Sequence, residues 1–516
     1  MKKIVTYISS LLIILSSCNL DLAPENTMVD QTVYKNKNTA EAALLGAYVR
    51  LNIALSGGPI DQNYYPSSGD AYIFGDMGTD NLKAQSTASD YLAMETGEYS
   101  ENEHNGMLIN LWRRSYNGID YANNIIAGIT KYGEYDSKTM NQHIAEAKFI
   151  RSFIYFQLLM IYGDQALMGN DNGLGVVKRV EPYEGYDPEE VITRSTNAES
   201  WEMIINDLKE AMPYLPEKAP AAVEQRLRAT QSVAKALLSR IYLYKGTFTN
   251  NEEELTLAMN YAKEVIDGNE YQFSNDYKEY TTNLFPENYY NASDEDNITQ
   301  PTNRSNEIIF FEASRLKEDL YPSGIYMYYA KRSLYVPDAM KSYYEEGDVR
   351  GYNADAESSE KYLLGQGSKT ENASLITSLK YTNSNSADYN NDVIYFRLAE
   401  MKLTYAEALT RVRKAVTQEA VNELNDIHQR AYITEKKPDA YTTGSFGTPD
   451  LLIKEILLER NKEFAYEGMH RWDIIRTNNL LDDQTMKKVA PNRWNAPIPS
   501  YEIEISNGNI KQNSGY

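Results

Sequence analysis

Sulfur and imidazole chemistry have little to work with in this chain. Its 516 residues hold one cysteine, Cys18, and four histidines, His104, His143, His428 and His470, that lie far apart. A single thiol closes no intrachain disulfide and builds no thiolate zinc site, and the histidines carry no metal-ligand spacing. Basic residues are in deficit, 51 Lys and Arg against 73 Asp and Glu, for a formal net charge of −22. Such a surface repels nucleic acid and anionic headgroups, and no basic stripe offsets it. No apolar run reaches the roughly 20 residues that a membrane-spanning helix requires. A phosphate-cradling Gly-Lys-Ser/Thr loop is also missing, Gly173-x-Gly175 being only a turn signal. Asp294 and Asp296 lack the spacing and closing glutamate of a calcium loop, so they read as a solvated acidic loop; no cofactor is expected and calcium has no further support.

What is present begins at the N-terminus. Lys2-Lys3 precede an apolar stretch from about Ile4 to Leu15, and Ser16-Ser17 lead into Cys18. A basic start, a short apolar core and small residues before a cysteine form the pattern of a bacterial lipoprotein signal. Residues 1–17 are therefore expected to leave as a signal peptide, with Cys18 acylated (palmitate-type chains) as the only hold on a membrane. Residues 18–38, polar and broken by Pro24, read as a tether and N-terminal segment.

The body reads as mainly α. Phe149, Phe153, Phe156 and Met160 recur at helical steps, as do Leu398, Met401, Tyr405, Ala408 and Val412. Helices are expected at 107–131, 141–162, 198–212, 230–245, 254–267, 394–413, 417–431 and 449–466, with another around Thr39–Tyr48. Paired helices that each need a neighbour to cover an apolar stripe suggest a tetratricopeptide-like repeat scaffold, though the period is not strict. The single body 18–516 thus holds helix pairs within about 39–270 and 394–470. The loop-rich parts fall mainly in 52–104 and 271–392. The chain carries 43 Tyr against 12 Phe and 4 Trp, and many of the tyrosines interleave with Asn, Ser and Gly on these insertions. A ring face with a polar tip suits a partly wet surface that binds polar ligands, such as a sugar whose C–H face stacks and whose hydroxyls meet amides. Loop position selects Tyr72, Tyr91, Tyr99, Asn102, Tyr289, Tyr290, Tyr326 and Tyr328 as candidate ligand contacts.

Several segments together resemble the SusD/RagB family of outer-membrane nutrient-uptake lipoproteins. They are the lipidated cysteine, Ala40-Glu41-Ala42-Ala43-Leu44-Leu45-Gly46-Ala47-Tyr48, Ala145 to Phe153 leading to Tyr162-Gly163, and Ile205 to Ala211 with Leu215-Pro216. Later come Arg397-Leu398-Ala399-Glu400, Tyr405-Ala406-Glu407-Ala408, Glu459-Arg460 with Glu463 to Gly468, and the ending Ile498-Pro499, Glu502, Gln512-Asn513 and Gly515-Tyr516. One departure stands in Gly468-Met469-His470-Arg471-Trp472-Asp473, where His470 takes the family's Arg position and Arg471 its first aromatic; Asp473 and Arg476 still match. This puts local packing in doubt and suggests a structural network at that helix end. The resemblance implies four tetratricopeptide-like units, a loop-rich ligand-binding region and lipid-anchored exposure on the outer membrane. It also implies a SusC-like TonB-dependent transporter as partner and a glycan, in some members a peptide, as ligand. The family's ligand residues lie outside its shared motifs and do not carry over. Two other readings stay open: a surface glycoside hydrolase using two carboxylates, which 73 acids cannot single out, and a purely structural scaffold.

Overall fold

The phenylalanine stripe lies on a 26-residue helix whose ends the sequence marks plainly. Asp136 accepts from the Thr139 amide (2.9 Å) at one end, and Gly163 closes the other by donating to the Leu159 carbonyl. The computed structural model describes residues 30–56, 70–85, 89–99, 106–185, 190–285, 289–290, 298–299, 304–313, 334–356, 361–366, 375–381 and 392–516. Cys18, Asn102, Asp294, Asp296, Tyr326 and Tyr328 lie outside them, as do the side chains of Tyr289 and Tyr290.

The helices are α1 (Asp30–Lys35), α2 (Lys37–Ser56), α3 (Asp70–Asp76), α4 (Ser89–Thr96), α5 (Gly106–Tyr132), α6 (Ser137–Tyr162) and α7 (Asn197–Ala211). They continue with α8 (Gln231–Thr247), α9 (Glu252–Asp267), α10 (Leu398–Arg413), α11 (Gln418–Arg430), α12 (Pro449–Phe464), α13 (His470–Arg476) and α14 (Ser500–Ile505). Short strands are β1 (Leu174–Val177), β2 (Arg194–Thr196), β3 (Ile308–Glu312), β4 (Leu364–Gln366), β5 (Ile376–Ser378) and β6 (Val393–Arg397), paired antiparallel as β1–β2, β3–β6 and β4–β5.

Three helical hairpins, α5–α6, α8–α9 and α10–α11, turn through the short connections 133–136, 248–251 and 414–417. Each packs on the next element: α2 on α5, α6 on α7, α9 on α10 and α10 on α12. This is a mainly helical, tetratricopeptide-like scaffold. Helix α9 shows why it needs neighbours, burying only Leu255, Ala258, Ala262 and Val265, one stripe at steps of three and four. The Tyr34 ring of α1 lies so close to the α5 backbone that a Cβ on Gly128 would stand 2.1 Å from it. Within the tether and N-terminal segment 18–38, residues 30–35 form α1, which docks on the body.

Two expectations change. Residues 394–397 are not helical but lie in β6, because Val393-Ile394-Tyr395-Phe396 is β-branched and aromatic and buried throughout. Helix α10 starts only at Leu398, after Arg397 in extended conformation. The segment 52–104, read as loop-rich, holds the end of α2 together with α3 and α4.

The departure segment forms the expected structural network. Arg476 grips Glu407 through both amino groups (2.7 and 2.8 Å), and Asp473 accepts from Arg476 (2.7 Å) and Arg460 (2.9 Å). Arg471, standing where the family has an aromatic, donates to the carbonyls of Met77 (2.6 Å) and Trp494 (2.7 and 3.0 Å) and lies over the Phe74 ring. His470 faces Asp483 at 3.4 Å. The cation thus fills an aromatic's place by satisfying two turns that close on α13.

Candidate ligand-binding site

Strand β6 carries the site, and a buried ionic cluster fixes it. Arg397 donates to Glu463 (2.6 Å), Glu307 (3.0 Å) and both oxygens of Glu467 (2.9 and 3.0 Å). Arg430 joins Glu307 to Glu463, Arg350 bridges Asp348, Glu459 and Glu463, and Lys380 donates to Glu467 at 2.7 Å. Burial alone would raise the glutamate pKa values, but the surrounding guanidiniums outweigh it. Glu463 is held well below the usual range, and Glu459, with Arg350 and His428 beside it, sits at about 2. Burial pushes Lys380 down, against the pull of Glu467. The cluster clamps β6 to α11 and α12.

On this base stands a wall of rings. Phe149 and Phe153 from α6 meet Phe310 of β3 and Tyr395 and Phe396 of β6, with centroids 5.3–6.5 Å apart. At its edge the Tyr395 hydroxyl donates to Glu312 (2.9 Å), with the Asn52 oxygen at 3.2 Å, and Tyr72 donates to the Ile394 carbonyl at 3.1 Å. Arg304 and Asp392 pair at 2.6 Å. These contacts gather the described flanks of four segments rich in Tyr, Asn or Ser: 57–69 after α2, 286–303 before Arg304, 314–333 after β3 and 382–391 before Asp392. Tyr64, Tyr65, Tyr289, Tyr290, Tyr326, Tyr328, Tyr329 and Tyr389 all belong to these stretches.

The described candidates separate. Tyr72 joins Tyr395 at this edge, ring centroids 6.3 Å apart, half-buried and with its hydroxyl pushed up by burial. Tyr91 is 5% exposed on α4, its ring in the core. Tyr99 packs edge-on against Tyr516 at 5.7 Å, away from the Tyr72 edge. Tyr91 lies in a helix and not in a loop; a helix of eight residues has too little period to announce itself in the sequence. Loop reasoning missed Tyr395, Glu312 and Asn52 because the first falls in a run read as helix and the others pair only across the fold. Among the described residues no group of three or more His, Cys, Asp or Glu could hold a metal ion, and no helix is long and apolar enough to cross a membrane.

Comparison with known proteins agrees with this architecture. Residues 60–243 match a family model described as "Starch-binding associating with outer membrane", and residues 242–495 match the model described as "SusD family". The chain is 24% identical to SusD-like protein P2 of Formosa agariphila, over 99% of each chain. A SusD superfamily protein of Parabacteroides distasonis superposes with a TM-score of 0.71 at 19% identity, covering 93% of this chain and 99% of the other. A structure described as a laminarin binding SusD-like protein does so with a TM-score of 0.65 at 20% identity, covering 94% and 100%. With two adjoining family models spanning the helical scaffold and the β3–β6 edge alike, the chain belongs to the SusD/RagB family.

Proposed function

We propose that this protein is a surface-exposed outer-membrane lipoprotein that captures an oligo- or polysaccharide and passes it to a SusC-like TonB-dependent transporter, without catalysis. The observation that carries the reading is that the described flanks of four segments rich in Tyr, Asn or Ser meet at one edge of β3 and β6. Stacking on tyrosine faces, with hydroxyls met by amides and carboxylates, gives weak individual contacts. A lipid on Cys18 keeps captor and transporter together, so the effective concentration compensates for modest affinity. Family membership and the starch and laminarin binding in the descriptions of its relatives support a glycan over a peptide. The proposed contacts are Tyr72, Asn102, Tyr289, Tyr290, Tyr326 and Tyr328; Tyr91, buried in the core, and Tyr99, packed on Tyr516, are left out of the contact set.

Isothermal titration of the detergent-solubilised lipoprotein with starch, laminarin, other neutral glycans and peptides tests this. The expected result is heat with at least one glycan that Tyr289→Ala/Tyr290→Ala abolishes, and no release of reducing sugar. Turnover by the purified protein would transfer the reading to a hydrolase, and heat with peptides alone would transfer it to a peptide captor. Normal uptake by a Cys18→Ala strain would remove the tether from the mechanism.

A further inference from the structure

A groove of about 780 Å³ lies between the first half of α5, residues 177–185 and 190–192 and the C-terminal α14, and shares no residue with the Tyr72–Tyr395 edge. Four of the eleven large hydrophobic side chains exposed among the described residues line it: Tyr183 (57% exposed), Val191 (68%), Tyr501 (58%) and Ile505 (52%). Such residues scattered singly need no explanation, but four in one concavity of ligand size mark a binding surface. The floor is preformed. Trp112 is buried, and the Tyr116 hydroxyl both donates to the Val177 carbonyl (3.1 Å) and accepts from its amide (3.0 Å).

The polar lining has a particular character. The side-chain amides of Asn117, Asn507 and Asn509 have no hydrogen-bond partner among the described residues. Four carboxyl groups, Asp120, Glu181, Glu190 and Glu502, stand against two guanidiniums, Arg113 and Arg179. Asp120 is committed to the Tyr183 amide (2.8 Å), and Arg179 lies 5.9 Å over the Tyr183 ring, which fixes that ring's position. Burial raises the Glu502 pKa, against a hydrogen bond from the Trp112 side chain that lowers it. Exposed rings and free amides in one groove suit a ligand with both apolar faces and hydroxyls; an amphipathic peptide would call for a continuous apolar stripe. The acidic excess disfavours sulfated or uronic glycans.

We propose that this groove is a second carbohydrate site, taking a neutral oligosaccharide whose ring faces lie on Tyr183 and Tyr501 and whose hydroxyls meet Asn117, Asn507 and Asn509. It requires no ligand at the loop-bearing edge, so the two sites stand or fall separately. The test is saturation-transfer NMR and calorimetry on the detergent-solubilised lipoprotein with maltoheptaose and laminarihexaose. Both tyrosines are exposed, so Tyr183→Ala/Tyr501→Ala should keep the wild-type circular dichroism spectrum. It should lose at least about tenfold in affinity for one sugar, as expected for removing two stacking faces, while Tyr289→Ala/Tyr290→Ala leaves that binding intact. Wild-type affinity for both sugars in the groove variant, loss confined to the Tyr289/Tyr290 variant, or no binding of either sugar to the wild type would each overturn the proposal. So would groove-dependent binding of a cationic valine-rich peptide with no sugar bound there.

Discussion

Replacing Glu463 with glutamine removes one negative charge from the buried cluster and keeps the side-chain volume. Glu463 accepts from Arg430 (2.5 Å), Arg397 (2.6 Å) and Arg350 (3.2 Å), and its side chain is wholly out of water. Around it Arg350, Arg397, Arg430, Lys380 and His428 face Asp348, Glu307, Glu459, Glu463 and Glu467. The substitution takes away a carboxylate that three guanidiniums share, and leaves them short of an anion with no solvent to reach. A glutamine oxygen can satisfy one guanidinium, but its NH2 group opposes another. Breaking a buried ion pair from one side costs about 3–5 kcal/mol. Unfolding entropy of about 2.1 cal/mol/K per residue gives about 1 kcal/mol/K for a chain of this size, so the melting temperature should fall by about 3–5 °C.

The assay is thermal unfolding followed by circular dichroism for wild type and Glu463→Gln across pH. The folded pKa of Glu463 is depressed, so its stabilisation is complete above the unfolded carboxylate range and fades as pH falls through the folded value. The gap between the two proteins should therefore be full at pH 7 and begin to narrow only below about pH 4.5. Because Arg397 ends β6, the variant should also bind ligand more weakly at the Tyr395 edge. A variant melting within about 1 °C of wild type at pH 7, against the shift derived above, would refute the account of the cluster as a clamp.

Two further perturbations probe the same end of the molecule. Gly468 has φ +74°, and a Cβ there would stand 2.7 Å from the Tyr72 Cα; Gly468→Ala should cost about 2–4 kcal/mol in denaturant unfolding and displace Tyr72, and an unchanged midpoint would contradict so close an approach. Burial raises Asp76 to about 6 against the Gly468 amide that it accepts. The native state then holds a proton that the unfolded chain releases between about pH 4 and 6, so this group's contribution to stability falls as pH rises through that window. Asp76→Asn, which carries no charge, should gain on wild type by about 3 kcal/mol, to order of magnitude, between pH 4 and pH 7.5; a pH-independent difference in melting temperature would count against it.

What the sequence disclosed and what it withheld follow one physical division. Periodic burial is a local property, so the Phe149–Met160 stripe and the hairpins around it were legible to within a few residues. A short run buried on all sides has no period, and so Ile394–Phe396 passed for the start of a helix when it belongs to the strand that carries Tyr395. Partnership across the fold is not local at all: Arg430 and Glu307 are 123 residues apart, and Arg476 and Glu407 are 69 apart. Exposure is equally hidden, which is why Tyr183 and Tyr501 looked no different from Tyr91. The same division explains why counting acids says nothing about hydrolysis. Glu407, Glu459, Glu463 and Asp473 are buried against arginines that hold them ionised, whereas a catalytic acid needs its proton near neutral pH. Arg350, Arg397, Arg430, Arg460, Arg471 and Arg476 are among the largest fully buried side chains, so these cations are spent inside the fold. The family's recurrent Arg and Glu motifs thus build the scaffold. In the proposed function, recognition falls to tyrosines whose positions no motif fixes.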